Sequence, residues 1–245
     1  MVANSAGLKG QLQTFLATGL KNCRAIAAIG SRAVKDFQQR LPEMPIFNIP
    51  YYCSLEKFGQ SLPERPRDPV TILFCGQMIR RKGVDLLLKA FENLVQSGFK
   101  ARLLLVGREA ELPQMLKLID PKIQSQIHYA GFQAPENLPQ FFQQADIFVL
   151  PSRYDGWGVV VNQALGAGLP IICSDQVGAA YDLIEPGING EIFPSGDVKV
   201  LTQAMKTFLK KPGYIQLASQ FSIKKSQGWH LEIGAQRWLN VLQNI

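Results

Sequence analysis

The chain of 245 residues has few of the side chains that build metal or disulfide frameworks. It has two histidines, and its four cysteines are far apart, with no C-x-x-C pair. Such spacing suits neither a zinc site nor a disulfide-stabilised secreted domain. We therefore expect no metal and a reducing, cytoplasmic setting. The four cysteines are Cys23, Cys53, Cys75 and Cys173.

Long hydrophobic runs are also absent from the sequence. No apolar segment reaches the roughly 18 residues that a membrane-spanning helix needs. Near the start, Leu8, Leu12 and Leu16 follow a helical spacing instead of forming the continuous apolar core of a signal peptide. These patterns predict neither a signal peptide nor a membrane anchor.

The charge is basic, with 26 Lys and Arg against 19 Asp and Glu. Residues 1–70 hold 9 against 5 and so carry +4 of the net +7. This surplus favours phosphate-bearing ligands or an anionic membrane surface, although an ordinary basic surface explains it as well. The chain lacks the long basic runs and interleaved aromatics of a nucleic-acid binder, so we expect no nucleic-acid partner.

Short apolar segments alternate with helical patterns along most of the chain. Uniformly apolar strands separated by helices indicate a parallel sheet covered on both faces. The sequence therefore predicts an α/β fold, a doubly wound parallel sheet. Its strands are predicted at 70–75, 101–106, 127–130, 147–150 and 169–174. Its helices are predicted from Gly83 to Gly98, at 138–144, 159–165 and 230–245, and around 201–208 with Asp197 as N-cap.

The segment before residue 59 is too small to fold as a domain of its own. It contains a predicted helix at 7–20, strands at 25–29 and 45–49, and a helix at 31–41. Two short strands bury too little apolar surface for independent stability. We therefore interpret it as a remnant of a larger domain. The predicted organisation is this remnant (1–58), a proline-rich linker (59–69), the main domain (70–228) and a C-terminal helix (229–245) that packs back on the remnant.

Two loops that follow predicted strands suit an anionic ligand. Open parallel sheets bind ligands beyond the carboxyl ends of their strands. After the first strand of the main domain, Gly76 is followed by the basic residues 80–82, just before a helix begins. Such a helix start is an anion site, most naturally for phosphate, although a solvated basic helix start is an equal alternative. After the second strand, Gly107 allows close approach of a ligand, and a tight turn explains it equally well.

The loop after the strand at 147–150 is the most informative. It contains Asp155, a tryptophan between Gly156 and Gly158, and then Gln163 on a helix. Glycines at a helix start expose amides to an anion, and a carboxylate accepts hydrogen bonds from hydroxyl groups. This combination is typical of a sugar-nucleotide site.

Six motifs, taken in the order in which they occur along the chain, resemble those of family-four glycosyltransferases of the GT-B fold. The motifs are Lys82-Gly83, Val106-Gly107, Ala130-Gly131-Phe132, residues 145–152 (ADIFVLPS), residues 155–158 (DGWG) and residues 167–172 (AGLPII). The resemblance covers residues 70–210 closely. Residues 22–58 resemble the last β-α-β unit of the family's N-terminal domain. The resemblance implies the C-terminal donor-binding half of a GT-B transferase, a Rossmann-like domain, with most of the acceptor domain missing.

The resemblance also implies roles for particular residues. Lys82 corresponds to the lysine that contacts the donor diphosphate, and Asp155 to the acidic residue at the donor sugar; these two are the implied catalytic residues. The family's companion arginine falls on Gln77, so we expect Arg80 or Arg81 to compensate. The second acidic position falls on Gln163, whose amide retains one acceptor oxygen for the ribose. The implied donor-binding set is Gly76, Gln77, Lys82, Gly107, Phe132, Asp155, Gly156, Trp157, Gly158, Val159 and Gln163.

Two further expectations come from the resemblance. The family's catalytic histidine belongs to the missing part, and we interpret His128, in a predicted buried strand, and His230 as structural. The sequence contains no D-x-D motif, and a metal-independent mechanism fits that absence because cationic side chains and helix dipoles then stabilise the leaving diphosphate.

The sequence therefore favours a retaining glycosyltransferase that uses a nucleotide diphosphate-sugar as co-substrate and no other cofactor. The alternative is a non-catalytic nucleotide-sugar-binding module, or an inactive truncated transferase that needs a separate N-terminal half. A dinucleotide-dependent oxidoreductase fits poorly, because no G-x-G-x-x-G follows the first strand of the main domain. The expected partners are a nucleotide sugar, a separate N-terminal domain or a second copy of the chain, and the inner face of the membrane as a peripheral contact.

Overall fold

The computed structural model describes residues 19–59, 67–211 and 213–245. The predicted helix at 7–20, apart from its last two residues, and most of the predicted linker at 59–69 lie outside the described residues. Within the described part of the chain, no helix combines the length and the apolar character needed to cross a membrane.

The N-terminal unit is a small two-stranded parallel sheet with one helix. Strand β1 (Ile26–Ala28) pairs with β2 (Ile46–Asn48), and helix α1 (Ser31–Arg40) connects them. Helix α1 has no fully buried residue. A sheet of two strands of three residues has little interior of its own, so this unit depends on its contacts with the rest of the molecule.

The rest of the described chain forms the predicted doubly wound α/β domain. Its six strands are β3 (Val70–Cys75), β4 (Ala101–Val106), β5 (Ile127–Tyr129), β6 (Ile147–Leu150), β7 (Ile171–Ser174) and β8 (Gly190–Phe193). All are parallel, in the order β5-β4-β3-β6-β7-β8. The chain order runs outward from β3 on one side and from β6 on the other. The boundary between β3 and β6 is therefore the topological switch point, where such sheets bind ligands.

Helices cover both faces of this sheet and complete the chain. They are α2 (Glu56–Gly59), α3 (Val84–Gln96), α4 (Leu112–Leu116), α5 (Pro121–Gln124), α6 (Leu138–Gln143), α7 (Val159–Gly166), α8 (Ala180–Leu183), α9 (Val198–Lys210), α10 (Tyr214–Ser226) and α11 (Leu231–Gln243). The predicted N-cap of α9 is confirmed, since the Asp197 carboxylate accepts the Val200 amide at 3.0 Å. Helix α10, strand β8 and the short helices α2, α4, α5 and α8 are not among the predicted elements.

The core lies between the central strands and the helices. Ile72, Leu73 and Phe74 of β3 are fully buried, and Phe142 of α6 stacks on Phe148 of β6. One prediction about the sheet is wrong: β5 is its edge strand, so His128 is exposed and not buried.

Helix α11 lies against the residues that follow β2. A Cβ added at Gly234 would lie 2.6 Å from the Tyr52 ring, so only glycine allows this approach. The Tyr52 ring stacks on Trp229 at 5.3 Å between centroids. The end of the chain and the N-terminal unit are thereby packed together.

Candidate functional site

Two charged side chains meet at the switch point of the sheet. A 3-10 turn at Arg80–Lys82 follows β3, and Asp155 lies on the loop after the neighbouring strand β6. Lys82 Nζ donates to Asp155 Oδ2 at 2.5 Å, with side-chain exposures of 18% and 13%. The two residues that the sequence predicts as catalytic are therefore in direct contact and partly accessible.

Gly83 allows the two loops to approach each other. Its φ of +73° is left-handed, and a Cβ there would lie 2.0 Å from the Pro151 carbonyl oxygen. Any side chain at this position would separate the Lys82 turn from the Asp155 loop.

The turns after β3, β4 and β5 are also contiguous. The Gly76 amide donates to Val106, and a Cβ at Gly107 would lie 1.9 Å from the Gly76 oxygen. The Gly107 amide donates in turn to Gly131 at 2.9 Å. These glycines leave a rim of bare backbone along the carboxyl edge of the sheet.

Exposed side chains project from this rim of backbone. Gln77 is exposed, and Phe132 is 64% exposed with the Arg108 guanidinium 5.4 Å from its ring centroid. A planar ring beneath a guanidinium is a surface on which a nucleobase can stack.

The loop that carries Asp155 is held by its backbone. The Asp155 amide donates to Gln176 and its carbonyl accepts from Gly178, each at 3.0 Å. Gly158, with φ +91°, is the N-cap of α7. Because the first amides of a helix have no partner within it, the start of α7 offers donors and a positive dipole end to an anion.

Trp157 and Gln163 differ in what their side chains can do. The Trp157 side chain is 3% exposed and donates to Asn162 Oδ1 at 2.8 Å, so it packs in the core and does not line the cleft. At Trp157, therefore, only backbone atoms are available for the predicted contact with the donor. Gln163 lies one turn into α7 and is partly buried. Val159, at the start of α7, is 38% exposed.

An arginine that the sequence prediction missed joins the two loops. Arg153 binds the Asp85 carboxylate through both terminal nitrogens at 2.7 Å and donates to the Arg80 carbonyl at 2.6 Å. Burial alone would raise the pKa of Asp85, but the hydrogen bonds and charge of Arg153 hold it below its ordinary value. The same hydrogen bonds raise the pKa of the Arg153 guanidinium above its ordinary value. The sequence signal is an arginine after the strand at 147–150 and an aspartate in the first turn of α3, but nothing in the sequence pairs them.

The remaining candidates lie at different places. Arg81 donates to the Tyr154 carbonyl at 3.0 Å and so joins the loops, while Arg80 is exposed beside them. His230 lines a separate cleft with Leu55 and Gly166. Among the described residues, no group of three or more His, Cys, Asp or Glu side chains is arranged to hold a metal ion.

A Rossmann-like parallel sheet with a cationic turn, a carboxylate and a helix start at its switch point has the architecture of a GT-B glycosyltransferase domain. Residues 60–227 match the model of the family described as glycosyl transferases group 1, and the chain belongs to this family.

Curated relatives share the sequence in part. The amylovoran biosynthesis glycosyltransferase AmsK of Erwinia amylovora is 29% identical over 154 residues, which cover 60% of this chain and 37% of the relative. The alpha-D-kanosaminyltransferase of Streptomyces kanamyceticus is 27% identical over 158 residues, which cover 64% of this chain and 39% of the relative. The chain thus spans about two fifths of the length of these relatives.

Solved structures confirm the GT-B fold. The sucrose-phosphate synthase of Thermosynechococcus elongatus superposes with a TM-score of 0.82 at 20% identity, covering 100% of this chain and 64% of that protein. HepE of Anabaena, solved in complex with UDP, gives 0.81 at 17% identity and covers 100% of this chain and 70% of that protein.

Proposed function

We propose that this chain is the donor-binding half of a retaining glycosyltransferase. It binds a nucleotide diphosphate-hexose and transfers the sugar to an acceptor hydroxyl without a metal ion. The observation that carries the proposal is the contact between Lys82 and Asp155 at the switch point, beside the start of α7.

Each part of this site has a task in the proposed reaction. The Lys82 ammonium binds the diphosphate and stabilises the negative charge that develops on it as the sugar leaves. The amides at Gly158 and Val159 bind the same phosphates or the sugar through the positive end of α7. Asp155 accepts hydrogen bonds from sugar hydroxyls once Lys82 turns to the diphosphate. Phe132 and the neighbouring backbone border the nucleobase, and Gln163 accepts from the ribose.

Membership of the family and the ligands bound by structural neighbours support the ligand class. HepE of Anabaena and a mutant of S. aureus TarM were each solved with UDP. For this chain we propose a nucleotide sugar as the ligand, a complementary acceptor domain or a second copy as the partner, and the cytoplasm, at the inner membrane face, as the location.

A second candidate function is a nucleotide-sugar-binding module without catalysis. The observation that favours it is the loss of charge at two donor positions, where Gln77 and Gln163 are neutral. A neutral amide makes a weaker hydrogen bond than a charged group. Donor binding without turnover in the presence of an acceptor domain would favour this candidate.

The first experiment is a thermal-shift titration with UDP, GDP and ADP and their common sugars. A ligand that binds only the folded chain raises its melting temperature. We expect one nucleotide series to do so, and Lys82→Ala to reduce the shift strongly while leaving weak, measurable binding. The matched control is Lys89→Ala, which removes a lysine 55% exposed on the outer side of α3 and should leave the shift unchanged. If no nucleotide shifts the wild-type chain, the proposal is wrong.

A further inference from the structure

The two loops of the site come from different strands, and Arg153 makes most of the hydrogen bonds that join them. Lys82 follows β3 and Asp155 follows β6, and the sheet pairs these strands only at Ile72–Ile147 and Leu73–Phe148. Beyond the sheet, the loops need other contacts to keep Lys82 and Asp155 at a fixed distance. Arg153 lies two residues before Asp155 and supplies three of these contacts.

The contacts of Arg153 reach both ends of the Lys82 turn. Its amide donates to the Arg81 carbonyl at 2.8 Å, and its guanidinium donates to the Arg80 carbonyl at 2.6 Å. The same guanidinium donates two hydrogen bonds of 2.7 Å to the carboxylate of Asp85, in the first turn of α3. The turn that carries Lys82 is thus fixed on one side by Arg80 and on the other by Asp85.

Only an arginine can make this set of side-chain bonds. The guanidinium has parallel donors that match a carboxylate and a further donor for the carbonyl. Lysine has one ammonium on a flexible stem and cannot hold both partners in one geometry. The Arg153 and Asp85 side chains are 30% and 29% exposed, so solvent weakens the attraction between their charges. The geometry of their hydrogen bonds therefore contributes more to fixing the loops than the charge attraction does.

We propose that Arg153 is a positioning residue of the donor site, which fixes the Asp155 loop to the Lys82 turn so that both side chains meet the donor together. The inference rests on the proposed function, since it assigns a role within that site. Arg153 acts through Lys82 and Asp155 and needs no contact with the donor. Preorganised groups bind a ligand without the entropic cost of ordering them.

The test measures nucleotide affinity and folding stability separately. Arg153→Lys keeps the positive charge but loses the two parallel hydrogen bonds to the Asp85 carboxylate. Its control is Arg67→Lys, since Arg67 donates to Asp146, Ala145 and Gln143 just before β6 begins, at the opposite end of the same strand. Both variants should melt at a lower temperature. With UDP, GDP and ADP titrated by calorimetry well below that temperature, we expect Arg153→Lys to weaken binding about tenfold and Arg67→Lys to leave it unchanged.

A double-mutant cycle separates positioning from general loosening of the fold. If Arg153 acts through Lys82, then Arg153→Lys should weaken binding much less in a Lys82→Ala background than in the wild type. Equal affinity of wild type and Arg153→Lys would overturn the inference while leaving the proposed function intact. Equal losses in Arg153→Lys and Arg67→Lys, or full additivity in the cycle, would also overturn it. A wild-type chain that binds none of the three nucleotides would refute the proposed function and this inference together.

Discussion

At the scale of single residues, glycines set how closely the loops of the site approach one another. A Cβ at Gly107 would overlap the Gly76 carbonyl oxygen, and the φ of Gly107 is +138°. Gly98, at the end of α3, has φ +85° but no atom within 4 Å of its added Cβ. Comparing an alanine substitution at each position therefore separates the cost of an unusual backbone angle, present at both, from the cost of a steric overlap, present only at Gly107.

We predict that Gly107→Ala destabilises the fold more than Gly98→Ala. The Gly98 variant should lose about 1 kcal/mol of unfolding free energy, because only its backbone conformation is unfavourable. The Gly107 variant adds about 1–3 kcal/mol for overlap with the Gly76 backbone. Chemical denaturation of both variants measures the difference. Equal losses would mean that the turns after β3 and β4 are not in contact as the structure has them.

The residues of the site differ in how visible they are in a sequence. Gly83, Lys82 and Asp155 stand out because they lie in the loops that follow two apolar strands, just before or close to a helix start. Arg153 and Asp85 do not, since their meeting depends on the order of the strands, which places β3 beside β6. The position of Trp157 in the motif predicts a donor contact, but its side chain is buried in the core.

At the scale of elements, helix α1 is capped by a residue from the other part of the chain. Its N-cap is Gly30, which has no side chain to accept the first amides. The Asp182 carboxylate, in α8, accepts instead from the amide and hydroxyl of Ser31 at 2.9 and 3.0 Å, and from Asn48 at 3.3 Å. A carboxylate at a helix start supplies an acceptor and a favourable interaction with the dipole.

We predict that Asp182→Ala loosens the N-terminal unit selectively. Loss of the cap should cost about 1 kcal/mol, and amides in β1, α1 and β2 should exchange hydrogen faster while the six-stranded sheet stays protected. The control Asp36→Ala removes an exposed carboxylate that pairs with Arg40 within α1, and it should change the exchange little. Unchanged exchange in the Asp182 variant would show that this contact does not hold the unit.

Two of the elements that the sequence did not predict, α10 and β8, have a physical reason for being hard to recognise. The buried face of α10 is made largely of small residues, Ala218, Ser219, Ser222 and Ser226, so it shows no apolar stripe. Ser222 buries its hydroxyl by donating to the Leu169 carbonyl at 2.8 Å. Strand β8 has only four residues and contains Glu191. The longer strands β3 and β4 are apolar throughout their central residues, and their predicted bounds are confirmed.

At the scale of the whole molecule, the candidate site occupies one side of what would be a cleft. The cationic turn, the carboxylate and the start of α7 all belong to the six-stranded domain, and the N-terminal unit has only two short strands. Transfer requires an acceptor held in line with the donor, and such positioning supplies a large part of the rate. Under the proposed function, we therefore expect donor binding and turnover to be separable, with turnover dependent on an acceptor domain.

We predict that turnover appears when an acceptor domain is supplied. A chimera would join the part of HepE outside the matched region to this whole chain. Release of nucleoside diphosphate would be followed with the nucleotide sugar that the thermal-shift titration selects and with a panel of sugar acceptors. Turnover should require both parts and be lost in Lys82→Ala and Asp155→Asn chimeras, because each removes a charge from the reacting site. The HepE part alone is the control. A chimera that binds the selected nucleotide as tightly as this chain but never turns over would favour the non-catalytic module. The neutral Gln77 and Gln163 would then be the first residues to restore to charged ones.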